Sequence, residues 1–286
     1  MDTPISLRTI IDPVISRVPS PVLRDTLRRA FAAEQAAEES IEELFRLLPA
    51  SAWSGELLST FAGSWKATHL KMLAIYGLSC RLQRLAEGPG APERNDLWIA
   101  AARNASTSHE DLGLDFDGHT HAELYDDFAE ALTGGDLWQL RRYRLPEAYG
   151  FGSWVYRNMV VEAISDGLLT NMFSEIYNHG EYAIALPSAT AYFQRHTTLG
   201  ARERDKAVSY IAAHVEDDVE AAHFLVVVEA LDRYLAASGT DLDPARAESI
   251  FRTYLRRLGE VMRRLGGMMR VELVGRAERP PAGGEA

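Results

Sequence analysis

Histidines and acidic residues gather in one run near the end of the chain, YIAAHVEDDVEAAHF. His214 and Asp218 are four residues apart, so on a helix they would share one face, one turn from each other. Both could then reach one metal ion, and mixed nitrogen and oxygen ligands suit iron, which keeps open positions for dioxygen. His223 would reach the same side only if the helix is locally distorted. The alternative is an acidic face in solvent, because three further acids stand in this run.

A second group lies in the run HEDLGLDFDGHTHAELYDDFAEAL. Glu110 and His121 would stand on consecutive helices that are joined by a glycine-bearing turn, and Asp111 could take the place of Glu110. His109 and His119 flank them, and either could be an ordinary turn residue. The pattern indicates a carboxylate and an imidazole that a helical fold could bring to the same site.

A glutamate in the middle of the chain precedes an apolar stretch. Glu181 stands just before residues 182–186, and a buried carboxylate there would need a cation or a metal beside it. Glu175 is the competing candidate for the same role. The sequence leaves open which of the two faces the site.

The elements that must position these residues are all predicted to be helices, because no stretch shows sustained period-two alternation. An Asp243-Pro244 pair is typical of an N-cap followed by proline at the first helical position. We predict one all-α bundle over residues 1–277 and a disordered, Pro/Gly-rich tail over 278–286. The predicted helices span residues 22–48, 57–85, 97–108, 120–132, 153–177, 202–214 and 219–236, with a last one after Pro244.

Composition excludes several classes of protein. The net charge of −11 argues against a nucleic-acid partner, and no run of roughly 18 apolar residues predicts a membrane span. The N-terminus lacks the features of a secretory signal, which predicts a cytoplasmic protein. Cys80 is the single cysteine, so a cysteine-rich zinc or iron–sulfur site is excluded. The sequence leaves open whether the chain forms a homodimer.

The order of the clusters resembles the heme-oxygenase-like diiron oxidases and oxygenases, also called iron-containing redox enzymes. The resemblance covers roughly residues 57–235. It rests on three segments: Asn104 through Glu110 and Gly113 to His121, Glu181 upstream of Pro187, and Tyr210-Ile211 before His214 and Asp218. It implies a helical bundle that binds one or two iron ions and uses dioxygen to modify a small metabolite, amino-acid-like or fatty-acid-like, in specialised metabolism. The ligands it implies are Glu110, His121, Glu181, His214 and Asp218, with His223 as a replacement.

The sequence departs from the family pattern at two ligand positions. Ala221 stands where the family has a second histidine, three residues after the aspartate. The first core helix, residues 57–85, offers no acid in its middle, only His69 and Tyr76. The second iron would then be held weakly, or one iron alone would bind. These gaps favour an alternative: a metal-free enzyme of the same bundle, thiaminase-like or quinone-cofactor-forming, or a non-catalytic binding protein.

A rival alignment changes two of the implied ligands. It replaces His214 by His196 and makes Glu162 the mid-chain acid. It then leaves Gly200 and Glu203 at the aspartate and histidine positions. Because that loses more ligands, the alignment through His214 is preferred.

Overall fold

The fold consists of helices, each with an apolar face. Capping residues in the sequence fix where several of these helices begin. The structure, a computed structural model, describes residues 6–69, 71–89, 93–113 and 118–277, and for Glu110 and Asp217 the backbone alone. The predicted tail and the turn residues 114–117 lie outside these ranges. The helices are α1 Leu7–Ile15, α2 Pro21–Ala33, α3 Gln35–Leu47, α4 Gly55–His69, α5 Met72–Glu87, α6 Arg94–Ser106, α7 His121–Thr133, α8 Pro146–Val160, α9 Ile164–His196, α10 Ala201–Ala213, α11 Val219–Ser238 and α12 Pro244–Ala277.

Helix α9 is the central element, and its side chains are buried along most of its length. It contacts α1, α8, α10, α11 and α12, and most of its residues from Asp166 to Ala185 are buried among them. A residue such as Glu175 or Glu181 on α9 therefore lies in the interior. A buried carboxylate requires a hydrogen-bonding partner or a cation there.

Three predicted helices are each divided or displaced in the structure. The segment 22–48 is two helices separated at Glu34, whose backbone is not helical. The segment 57–85 is divided into α4 and α5 near Lys71, and the segment 153–177 is divided between α8 and α9. Helix α9 also continues through Pro187 to His196, beyond the predicted end. No glycine or proline marks these breaks, so local signals did not reveal them.

Other predicted ends are confirmed by their caps. Thr120 and Glu123 form a capping box at the start of α7, which fixes His121 at the first position of that helix. Asp243 accepts hydrogen bonds from the backbone N–H groups of Ala245 and Arg246 at the start of α12. No helix in the described ranges has the length and apolar character needed to cross a membrane.

Candidate functional site

Two adjoining cavities open where the α4–α5 junction meets α7, α9, α10 and α11. The outer cavity encloses about 470 Å³ and the inner cavity about 420 Å³, both counted with their open mouths. The residues that line both are His69, Lys71, Asp111, His121 and Tyr210. The inner cavity is the more polar, and elements far apart in sequence meet there.

Two carboxylates and a histidine come together in the inner cavity. Glu175 on α9 and Glu220 and His223 on α11 offer ligand atoms that all lie within 4.8 Å of one another. Both glutamates are buried, and His223 is half-buried. Glu220 and His223 are three residues apart on α11, so they project from one face of that helix. We call these three residues the carboxylate–histidine triad.

The two carboxyl groups of the triad are held in an environment that disfavours their charge. Burial raises the pKa of Glu175 well above its ordinary value, and the nearby Glu220 raises it further. Burial also raises the pKa of Glu220. Two buried carboxyl groups in contact must share a proton or a cation, because both cannot ionise without a compensating positive charge.

Next to the triad lie the two imidazoles of His121 and His214, with ring centroids 4.5 Å apart. His121 Nδ1 lies 2.8 Å from Asp111 Oδ1. Burial alone would raise the pKa of Asp111, but the hydrogen bond to His121 and the nearby His121, His214 and Lys71 side chains together hold the pKa below its ordinary value. Gly113 makes the contact possible, because its φ of +76° turns the chain and a Cβ there would lie 2.8 Å from the His119 backbone.

His214 connects the imidazoles to the triad. Its Nδ1 lies 2.6 Å from Glu220 Oε1, and its ring stacks on Tyr182 with centroids 4.1 Å apart. Burial lowers the pKa of His214 well below its ordinary value, so the ring is neutral at pH 7. With Nδ1–H donating to Glu220, Nε2 keeps its lone pair, and this buried atom has no hydrogen-bond partner among the described residues. An imidazole oriented by a carboxylate in this way is typical of metal-binding histidines.

Glu181 is fully buried but satisfied by other partners. Trp65 donates its indole N–H to Glu181 Oε1 at 2.9 Å, and Glu181 Oε2 lies 2.9 Å from His69 Nε2. Glu181 does not line either cavity, whereas His69 lines both. Glu181 therefore orients His69 toward the cavities, and Glu175 is the mid-chain acid that enters the inner one.

Tyrosines form much of the remaining walls. The hydroxyls of Tyr182 and Tyr210 are 2.7 Å apart and hydrogen-bonded to each other. Both tyrosines are buried, and burial is the main reason that their pKa values lie above the ordinary value. The Tyr125 hydroxyl donates to the Ala62 carbonyl at 2.7 Å. Such hydroxyls stay protonated at neutral pH and can only donate or accept hydrogen bonds there.

The structure brings together part of the predicted ligand set. His121, His214 and His223 line the inner cavity, as Glu175 does. The backbone of Glu110 begins a 3-10 turn, Glu110–Leu112, but its side chain lies outside what the structure describes. The neighbouring acid Asp111 reaches His121 in that region.

Asp218 requires a correction. Helix α10 ends at Ala213, and a 3-10 turn, Glu216–Asp218, separates it from α11. The expectation that His214 and Asp218 share a helix face is therefore wrong, and Asp218 is an exposed residue with φ +54°. This break also removes the need for a distorted helix at His223, because His214 and His223 stand on different elements.

The rival ligands lie elsewhere. Glu162 Oε1 pairs with Arg157 Nε at 2.7 Å at the end of α8. His196 Nε2 lies 3.1 Å from the Pro49 carbonyl oxygen. Neither Glu162 nor His196 lines either cavity. The alignment through His214 agrees better with this geometry than the alignment through His196.

Sequence reasoning missed several residues of the site. Glu220 is among the further acids that suggest the alternative of an acidic face in solvent, although Glu220 and His223 have the spacing of three that the family pattern requires. Lys71 and Tyr182 carried no signal of their own, and Tyr210 was noted only as part of the Tyr210-Ile211 pair before His214. Their positions depend on the break after α4 and on the packing of α9 against α10.

Comparison with known proteins supports the fold. No family model matches this sequence, and no curated protein matches it either. Among solved structures, the chain is similar to a TenA homolog from Pseudomonas syringae pv. tomato, with a TM-score of 0.63 and 14% sequence identity. The match covers 88% of this chain and 94% of that one. At this identity the likeness shows the fold, and it confirms the predicted all-α bundle.

Proposed function

We propose that this chain is a non-heme iron-dependent oxidase or oxygenase that acts on a small metabolite. The observation that carries the proposal is the carboxylate–histidine triad, whose three ligand atoms lie within 4.8 Å of one another in the interior. Carboxylate-rich iron sites in helical bundles combine two Glu-x-x-His pairs with two further glutamates. Glu220 and His223 supply one such pair and Glu175 one glutamate, which is half of that set.

The charges of the carboxylate–histidine triad suit a divalent cation, as the distances between its ligand atoms do. The triad contributes two buried carboxyl groups, and a cation between them would replace the proton that burial otherwise imposes. The lone pair of His214 Nε2 is available beside them. Glu175, Glu220 and His223 would hold the ion. Iron bound there would supply one-electron and dioxygen chemistry.

The chain's own residues would orient the substrate and exclude water. The outer cavity leads past Tyr125 and Tyr210 to His121 and would admit a small molecule. The Tyr182–Tyr210 hydroxyl pair closes one wall and offers neutral hydrogen bonds to a substrate. Asp111 fixes the ring of His121, and Glu181 fixes the ring of His69. These contacts would keep the imidazoles in place when a substrate enters.

The test is iron retention by purified protein that has been loaded anaerobically with iron(II) and then desalted. We expect the wild type to retain about one iron per chain or more. Glu220→Gln and His223→Ala should each weaken binding by more than the roughly 10–100-fold that loss of a supporting residue costs. Asp218→Asn is the matched control, because Asp218 is an exposed acid near the same helix start. Equal retention by all four proteins would contradict the proposal.

A metal-free enzyme of the same bundle, thiaminase-like, is the second candidate, and the fold likeness to a TenA homolog favours it more directly than the first. The raised pKa values of Glu175 and Glu220 also suit it, because one protonated and one ionised carboxyl group can act as general acid and base.

Chelator-treated protein distinguishes the two candidates. Cleavage of thiamin by metal-free protein, lost in Glu220→Gln and kept in Asp218→Asn, would support the metal-free enzyme. Oxygen uptake that depends on added iron(II), measured across a panel of amino acids and fatty acids, would support the oxygenase. A protein with neither activity that still binds one of these small molecules would point to a binding protein.

A further inference from the structure

Lys71 is a buried lysine at the interruption between α4 and α5. Its backbone N–H donates to the His69 carbonyl at 2.9 Å, and its own carbonyl accepts from Ala74 and Ile75 at the start of α5. The residue is only 6% exposed. A buried ammonium is costly unless carboxylates compensate it, so a lysine at this position needs an explanation.

The Lys71 side chain lines both cavities, as Asp111 and His121 do. Glu175 and Glu220 line the inner cavity with it. With the Asn178 amide oriented by its hydrogen bonds, Lys71 Nζ donates to Asn178 Oδ1 at 2.9 Å. Its charge favours the ionised forms of Asp111, Glu175 and Glu220.

Charge balance indicates what the ammonium does. The ammonium of Lys71 lies in the inner cavity with Asp111, Glu175 and Glu220, where buried carboxyl groups need a positive partner. A second divalent cation beside this ammonium would bring two positive groups together in the interior, which is strongly disfavoured.

We propose that Lys71 occupies the place of a second cation, so that the site binds one divalent metal ion, held by Glu175, Glu220 and His223. This inference rests on the proposed function and deepens it, because it sets the metal stoichiometry. It also accounts for the missing acid on the first core helix, since a site for one ion needs no ligand there. Lys71 is thus a specificity-determining residue of the metal site.

The experiment measures manganese(II) stoichiometry, because manganese(II) is a stable, paramagnetic probe for sites that accept carboxylate and imidazole ligands. Wild-type protein should bind about one ion per chain, with the electron paramagnetic resonance spectrum of an isolated ion. Lys71→Met removes the charge and keeps most of the side-chain volume. It should bind about two ions per chain, with the spectrum of a coupled pair, as expected for ions about 3.5–4 Å apart.

Two variants serve as controls. Lys71→Arg keeps the charge and should stay at about one ion per chain. Lys66→Met removes a lysine that lines the outer cavity alone and pairs with Asp126 at 2.6 Å, and it should also stay at about one ion. If Lys71→Met does not give the circular dichroism of a folded protein, Lys71→Gln takes its place.

The outcomes separate this inference from the proposed function. Two ions in the wild type, or one ion in folded Lys71→Met and Lys71→Gln, would overturn the role of Lys71 and leave the metal site standing. No bound manganese or iron in the wild type would overturn both. An increase of the same size in Lys66→Met would also overturn it, because any lysine near the cavity would then suffice.

Discussion

Glu175 and Glu220 place two carboxyl groups against each other in the interior, and this contact makes the metal-free site unfavourable at neutral pH. Burial and mutual repulsion raise the pKa of Glu175 well above 4.5, and burial raises the pKa of Glu220. A folded-state pKa above the unfolded value means that the folded protein binds the proton more tightly. The associated stability is present below about pH 4.5 and is lost as the pH rises through the raised pKa.

Glu175→Gln should therefore stabilise the metal-free protein. The amide imitates the protonated acid, so the gain should be small near pH 4.5 and grow toward pH 8, to on the order of 1–3 kcal/mol. Thermal unfolding at several pH values in the presence of a chelator measures it. Glu130→Gln, on the exposed face of α7, is the control. A pH-independent gain would contradict the assignment of a raised pKa.

At the level of single residues, the sequence identified most of the imidazoles but not all of the acids. His121, His214 and His223 were predictable because histidine is rare in this chain, with eight in 286 residues. Acids are abundant on solvated helix faces, so composition did not distinguish Glu220 from Asp218. Which of the two acids enters the site depends on where α10 ends, and packing sets that end rather than the residues themselves.

The loops between helices position the site residues as much as the packing of the helices does. The segment between α6 and α7 contains two glycines with positive φ, Gly113 and Gly118. A Cβ at Gly113 would lie 2.8 Å from the His119 carbonyl carbon and oxygen, whereas a Cβ at Gly118 would meet nothing within 4 Å. A side chain at either glycine would strain the backbone, but only a side chain at Gly113 would also clash with neighbouring atoms.

Gly113→Ala should cost more stability than Gly118→Ala and should also weaken manganese binding. Both variants carry the strain of positive φ, about 1–2 kcal/mol. Only Gly113→Ala must displace the His119 backbone, which would move Asp111 away from His121. We expect Gly118→Ala to keep wild-type affinity and Gly113→Ala to lose about tenfold, measured by titration alongside thermal unfolding. Equal affinities would show that Asp111 does not support the site.

A second close approach joins α4 to the loop before α8. A Cβ at Gly63 would lie 2.7 Å from the backbone oxygens of Trp138 and Tyr143. Backbone atoms cannot rotate away, so Gly63→Ala should destabilise the protein by about 1–3 kcal/mol. Gly275→Ala on α12 meets nothing within 4 Å and should be neutral or slightly stabilising, because alanine favours helix. Equal unfolding temperatures for the two variants would contradict the packing of α4 described here.

The sequence predicted the helical character of these elements better than their ends. Capping residues fixed the starts of α7 and α12, and both were predicted correctly. The division of 57–85 into α4 and α5 had no such marker. It is nevertheless the feature that brings Lys71 into the interior. Long-range contacts override helix propensity at such positions, and a single sequence does not reveal them.

For the whole molecule, the all-α bundle followed from periodicity and from the absence of strand patterns, and the fold likeness confirms it. The sequence did not predict that the site residues meet, because they are spread from His69 to His223. Helices that are distant in sequence meet at the cavity, and a cation bound there would connect α9 to α11. Binding at such a point should stabilise the fold as a unit.

Manganese(II) should therefore raise the unfolding temperature of the wild type. At a free concentration of 100 times Kd the gain is about 2.7 kcal/mol. For a chain of this size, that corresponds to roughly 5–10 °C. Glu175→Gln should start from a higher unfolding temperature in chelator and gain nothing from the metal, because it lacks one ligand of the triad. Asp218→Asn should gain as much as the wild type. A rise in Glu175→Gln equal to that of Asp218→Asn would place the bound ion outside the triad.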